Sequence, residues 1–272
     1  MRRRTLLRAA VAAALVPRGA AAARRPAVAA HRGGALLWPE NSLLAYREAL
    51  ALGVDFLETD VHLTGDGIVV VLHDATLDRT TTGTGPVRER TLADLASLRL
   101  RAAAGRPTGE VVPTLAQLLD LVGPSRAGVL LEMKAGPGRQ RYAGIEERAL
   151  GLVRDRGLLD RTVVMAFEPE TVLRVRELEP TVPTAALIAR GHERRDRLTA
   201  EEALDRTRAV RATHAGINFR LLDGPLVAAV QRAGMAVGAW TVNEEADIRD
   251  VLALGVDVVI TDRPDLALKL RR

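Results

Sequence analysis

The 272-residue chain contains no cysteine. Disulfides, a lipobox-type lipid anchor and thiolate metal sites are therefore excluded. Aromatic residues are only 3% of the chain against 47% apolar overall, so a core has to be built from Ala, Val and Leu. Beyond the N-terminus no stretch approaches the ~20 consecutive apolar residues that cross a bilayer. A one-sided charge is missing too. Five of the 39 Lys+Arg (Arg2, Arg3, Arg4, Arg8 and Arg18) lie in the first 23 residues, which hold no acid; without them 34 remain, matching the 34 Asp+Glu. A nucleic-acid-binding chain calls for a concentrated basic patch. The local exception, RGHERRDR at 190–197, interleaves both signs and reads as a solvated, salt-bridged face.

Those first 23 residues carry their own pattern. Arg2, Arg3 and Arg4 precede the apolar run 9–16, then Pro17-Arg18-Gly19 and Ala21-Ala22-Ala23. This is the n-, h- and c-region order of an export signal with a small-x-small cleavage site after Ala23. Arg3-Arg4-Thr5-Leu6-Leu7 resembles the twin-arginine motif. The expectation is a signal over 1–23, a single domain over 24–272, and a secreted or extracytoplasmic mature chain without stable membrane insertion.

From residue 28 onward, β-rich runs alternate with helical patterns. Strands are predicted at 28–31, 55–61, 129–134, 162–167, 184–188, 215–219, 236–242 and 256–261. Helical patterns fall at 141–156, 169–178, 199–211, 224–234 and 243–255, and Asn41 or Ser42 can cap another that ends at Gly53. Eight strands with intervening helices predict an α/β fold, a closed (β/α)8 TIM barrel, with a doubly wound open sheet as the alternative. One run breaks the alternation. Residues 68–72 follow 61–64 through Gly65-Asp66-Gly67, too short for a parallel crossover, so an antiparallel hairpin arm is predicted. From Asp74 to Pro113 the pattern weakens into loops and one short helix at 92–98, a small insertion.

Glu58 and Asp60, two apart on a strand, point to one face with Phe56 and His62. Side by side in a barrel they repel unless a cation sits between them. Glu132 repeats the logic on another strand, with Lys134 two residues on. Three carboxylates without thiolates suit one hard divalent cation, Ca²⁺ or Mg²⁺. An exposed strand face or an ion pair with Arg or Lys would also carry such a pair; the apolar strand context and strand-end position favour the metal. His31 and His73 each end an apolar strand, and imidazoles there can act as acid and base across a scissile bond, or simply cap the strands. His62 shares the face of the carboxylates and could support them, but a place on the outgoing hairpin arm is favoured; His192 and His214 read as surface or structural. Arg32 and Lys134 add positive charge suited to a phosphate, or salt bridges to the carboxylates. Trp240 suits a stacking wall at the mouth or a plain core position.

At these residues the chain resembles the glycerophosphodiester phosphodiesterase family. The matching stretches are HRGG, PENSLLAYREALALGVDFLETDVHLTGDGIVVVLHDATLDRTTTGTG, VVPTLAQLLD, LLEMK, GAWTVN and VDVVITDRP, in order from His31 to Pro264. The resemblance implies hydrolysis of glycerophosphodiesters to glycerol 3-phosphate and an alcohol. It implies a divalent metal on Glu58, Asp60 and Glu132, an acid–base pair at His31 and His73, phosphate-binding cations at Arg32 and Lys134, and a mouth aromatic at Trp240. The implied partner is a small-molecule glycerophosphodiester, not nucleic acid. The doubled Gly33-Gly34 departs slightly from the pattern, and the 74–113 insertion leaves head-group preference open. A related barrel phosphodiesterase acting on lysophospholipids or sphingolipids is the nearest alternative, and a non-catalytic phosphodiester-binding barrel a more distant one.

Overall fold

The computed structural model describes residues 25–189 and 198–271. The expected export signal lies outside the described residues, as do His192 and the rest of the 190–197 charge cluster. In chain order the strands are β1 (Ala27–Ala30), β2 (Phe56–Leu63), β3 (Val69–Val71), β4 (Gly128–Met133), β5 (Thr162–Ala166), β6 (Thr184–Ile188), β7 (His214–Asn218), β8 (Ala236–Trp240) and β9 (Val258–Thr261). The helices are α1 (Leu43–Leu52), α2 (Leu92–Ala96), α3 (Leu115–Val122), α4 (Ile145–Asp155), α5 (Pro169–Leu178), α6 (Ala200–Ala209), α7 (Gly224–Arg232), α8 (Glu245–Ala253) and α9 (Pro264–Leu270).

Strand β1 pairs in parallel with both β2 (Ala29 opposite Phe56) and β9 (Ala27 opposite Val258), which closes the sheet. The ring runs β1-β2-β4-β5-β6-β7-β8-β9, eight parallel strands, and the open-sheet alternative falls with that closure. Strand β3 is the hairpin arm, antiparallel to the far end of β2 with Val61 opposite Val71.

Local chemistry sets the element ends. Ser42 caps α1 by accepting from the Ala45 amide, and Gly53 stops the helix in the left-handed region at φ 81°. Reciprocal capping boxes start α2 (Thr91/Asp94), α3 (Thr114/Gln117) and α6 (Thr199/Glu202). Helices α3 and α9 were not among the expected ones. The first is short and directly follows the irregular insertion; the second opens on Pro264 at the C-terminal end of the chain.

Alternate strand residues divide between two layers. Leu57, Val61, Val129, Leu131 and Val164 face outward and bury against Ala49, Leu118, Leu119 and Leu150 of the helices. Ile217, Val237 and Val259 do the same against Val227, Val230 and Ile248 on the other side. Inward, Ala29, Phe56, Leu130, Val163, Met165 and Ile260 fill the barrel. The insertion has its own small core of Leu72, Leu77, Val87, Leu95, Leu100 and Val112, so it is packed and not a loose loop.

The barrel filling requires a glycine at position 128. A Cβ on Gly128 would lie 2.5 Å from the Phe56 ring and 2.6 Å from the Arg161 carbonyl oxygen. Gly128→Ala should therefore displace Phe56 and cost about 1–3 kcal/mol, the range for an overpacked core. Urea unfolding checks this; an unchanged midpoint would contradict it.

Candidate active site

The C-terminal ends of β2 and β4 lie in register, with Asp60 directly opposite Glu132. Glu58 and Asp60 are 1% and 0% exposed. One carboxylate oxygen from each of Glu58, Asp60 and Glu132 lies within 4.8 Å of the others. Lys134, just past β4, sets its Nζ 2.9 Å from Asp60 Oδ1 and 2.6 Å from Glu132 Oε1. The electrostatics are uneven. Burial, then the charges of Asp60 and Glu132, push Glu58 up to about 8. Burial acts the same way on Asp60, but Lys134 and Arg32 outweigh it and hold the carboxyl well below its ordinary range. Glu132 is raised by burial, against the pull of Lys134.

The loop from β1 to α1 wraps this cluster. His31, Arg32 and Gly33 form a single 3-10 turn after β1, so His31 stands just beyond the strand and not in it. Arg32 and Asn41 both take left-handed backbone, at φ 51° and 56°. Non-glycine residues in that region cost on the order of 1–3 kcal/mol each and persist only where the surroundings hold them. Here the Asn41 amide donates to the Arg32 carbonyl at 2.9 Å. Arg32 donates its amide to Glu58 Oε2 at 2.8 Å, and its Nε sits 3.3 Å from Asp60 Oδ2. The Asn41 side chain donates to Asp60 Oδ2 at 3.0 Å and accepts from the Tyr46 hydroxyl at 2.6 Å. Asn41 is thus a support for the carboxylates, while Ser42 alone caps α1. Gly33 (φ 81°) lets the turn press against α1: a Cβ there would lie 2.7 Å from the Ala45 Cβ.

Each predicted histidine is tethered by Nδ1 to its own carboxylate. His31 Nδ1 is 2.6 Å from Asp262 Oδ1, and Asn243 brackets Asp262 through its Oδ2 (2.7 Å) and its amide (2.9 Å). His73 Nδ1 is 2.6 Å from Asp74 Oδ1. A carboxylate on Nδ1 makes that nitrogen the donor and leaves Nε2 for the cleft. Burial lowers the His31 pKa, but Glu58 and Asp262 more than reverse it, and the net shift is up. For His73 burial dominates; Asp60 opposes it, Lys134 and Arg32 reinforce it, and the net shift is down.

His31, Arg32, Glu58, His73, Glu132 and Lys134 line one side of a cleft open to solvent. Met165, Phe167, Leu187, Trp240 and Ile260 line the other. Trp240 ends β8 and meets Phe167 edge to face at 5.5 Å. The eight residues singled out in the sequence therefore converge, Asp60 lying at the base of the group. Sequence reading gave no role to Asp262, Asn243, Asp74 or Arg79. Asp262 had a signal: it follows Ile260 at inward spacing off β9.

His62 is buried away from the cleft. Its Nε2 donates to the His73 carbonyl at 3.0 Å and its Nδ1 accepts from the Tyr142 hydroxyl at 2.9 Å. His214, at the start of β7, contacts the Thr213 hydroxyl and has a structural place. Burial drives the His62 pKa down to about 4, against about 6.5 in an unfolded chain. The unfolded state then binds the proton more tightly between those values. Stability contributed by neutral His62 is complete above pH 6.5 and is lost as pH falls towards 4, on the order of 3 kcal/mol in all. His62→Gln should flatten that part of the stability–pH curve. Urea unfolding between pH 4.5 and 7 checks this, and equal slopes in both proteins would contradict it.

Comparison with known proteins gives a consistent result. The model of the glycerophosphoryl diester phosphodiesterase family matches residues 31–266. The glycerophosphodiester phosphodiesterase of Bacillus subtilis (strain 168) is 31% identical, over 89% of this chain and 85% of its own length. A phosphodiesterase from Oleispira antarctica, solved in complex with the product sn-glycerol-3-phosphate, superposes with a TM-score of 0.79 at 25% identity, covering 90% of this chain and 97% of its own. A glycerophosphodiester phosphodiesterase structure from Agrobacterium tumefaciens gives a TM-score of 0.74 at 27% identity, covering 89% and 99%.

Proposed function

The chain belongs to the glycerophosphoryl diester phosphodiesterase family, and we propose that it hydrolyses glycerophosphodiesters to sn-glycerol 3-phosphate and an alcohol with one divalent metal ion and two histidines as acid and base. The observation that carries this reading is the pair of imidazoles, each tethered through Nδ1 to a carboxylate, flanking three buried carboxylates in one cleft.

The site fits a hard cation. Its donors are all carboxylate oxygens, and the buried Asp60 Oδ1 has no hydrogen-bond partner beyond its ion-pair contact with Lys134. Lys134 and Arg32 leave one of the three carboxylates uncompensated, and a phosphodiester brings a further negative charge. Glu58, Asp60 and Glu132 would hold the ion, Ca²⁺ or Mg²⁺, which supplies positive charge against a nonbridging phosphate oxygen.

The residues of the chain do the rest. Arg32 and Lys134 offset charge that gathers on the phosphoryl oxygens. One histidine takes a proton at Nε2 from the nucleophile, water or the neighbouring glycerol hydroxyl; the other gives a proton from Nε2 to the departing alkoxide. Asp262 and Asp74 keep both rings turned for this. Trp240, Phe167 and Leu187 supply an apolar wall that limits water and packs against the carbon skeleton of the substrate.

Glycerol 3-phosphate release from glycerophosphocholine tests the reading. His31→Ala and His73→Ala should each lower turnover by ~100-fold or more. Near-wild-type rates in both variants would remove the two-histidine assignment, and no release by the wild type on any glycerophosphodiester, with Ca²⁺ or Mg²⁺ supplied, would remove the substrate class.

A further inference from the structure

Arg79 lies in the insertion, outside the residues that line the cleft, yet it is the hub of a continuous ionic chain into it. Its Nε and Nη2 donate to Asp74 Oδ2 and Oδ1 at 2.6 and 3.0 Å. Its Nη1 and Nη2 donate to Glu40 Oε2 and Oε1 at 2.8 Å each. One guanidinium thus makes two forks. The carboxylate on the first fork holds His73 Nδ1 at 2.6 Å. The carboxylate on the second accepts from Arg32 Nη1 at 3.1 Å. The order is His73, Asp74, Arg79, Glu40, Arg32.

Stability alone does not account for this arrangement. The Arg79 side chain is 48% exposed, where solvent screening keeps the contribution of even a forked ion pair modest. Orientation does account for it. A fork fixes the plane of each carboxylate as well as its position. The plane of Asp74 sets the direction of the His73 ring, and engaging both oxygens of Glu40 limits its hold on Arg32 to one shared contact. Without Arg79, Asp74 is free to turn and Glu40 is left with both oxygens to draw Arg32 away from Asp60. A lysine there would keep the charge and lose both forks.

We propose that Arg79 is a positioning residue for the reaction proposed above, locking His73 and Arg32 into one relative geometry through Asp74 and Glu40. It does not line the cleft. The inference rests on the phosphodiesterase reading for its consequence in turnover, but not for its consequence in structure.

The two consequences are measured separately. In ¹⁵N-edited spectra of the histidine imidazoles, wild-type His73 should show a protonated, slowly exchanging Nδ1. Arg79→Ala and Arg79→Lys should lose that signature, while His31, held by Asp262, keeps its own. His73→Ala assigns the signal. In the turnover assay both Arg79 variants should lose ~10–100-fold, the usual range for partners that orient an active group, with melting temperatures close to wild type. Guanidinium ion should restore rate to Arg79→Ala and not to Asp74→Ala. An unchanged His73 signature in Arg79→Ala overturns the proposal whatever the substrate, as does Arg79→Ala turnover within about twofold of a wild type that is active. A lost signature in a protein that hydrolyses no glycerophosphodiester leaves Arg79 as the positioner and removes the substrate reading instead.

Discussion

Three carboxylates inside a barrel repel one another and lose their hydration, and the architecture around them answers that constraint. Glu58, Asp60 and Glu132 reach the same point because β2 and β4 are adjacent and in register. Lys134 comes from the end of β4, and Arg32 from a turn whose left-handed backbone aims both its amide and its guanidinium at the cluster. Even so, burial and the neighbouring charge of Asp60 are not fully offset, and the Glu58 pKa stays raised. A divalent ion bound there, together with the phosphodiester of the substrate, would bring the group close to neutrality.

The strands place the carboxylates; the loops place everything that must move protons. His31 and His73 both lie beyond strand ends, and each would be free to rotate on a loop without its tether. The two tethers differ. Asp262 is held by a neutral asparagine from the β8–α8 loop, whereas Asp74 is held by the forked Arg79 of the insertion. The 74–113 segment thereby joins the site through the ionic chain, and its small apolar core gives Arg79 a fixed base.

Much of this was legible in the sequence because it follows short-range periodicity. The alternation of Phe56, Glu58 and Asp60 against Leu57, Thr59 and Val61 announces an inward acidic face. The short Gly65-Asp66-Gly67 turn announces the antiparallel β3. Ser42 and Gly53 mark the ends of α1. What stayed hidden depends on contacts distant in sequence or on unusual backbone. His31 meets Asp262 across 231 residues, and nothing local to either names the other. Arg79 and Glu40 are 39 apart, in segments whose weak periodicity gave no face. Asn41 read as a helix cap because its type suits one; its left-handed φ instead turns the side chain onto Asp60.

The central claim is that the buried carboxylates are a divalent-cation site completed by ionising Glu58. Calorimetric titration of Ca²⁺ and of Mg²⁺ into metal-free protein at pH 7, in two buffers of different protonation enthalpy, tests it directly. Because burial and the charge of Asp60 raise the Glu58 pKa in the metal-free site, saturable binding at pH 7 should be accompanied by proton release, and Glu58→Gln should weaken binding and reduce that release. Absence of saturable binding, or binding with no proton release and no sensitivity to Glu58→Gln, would contradict the account.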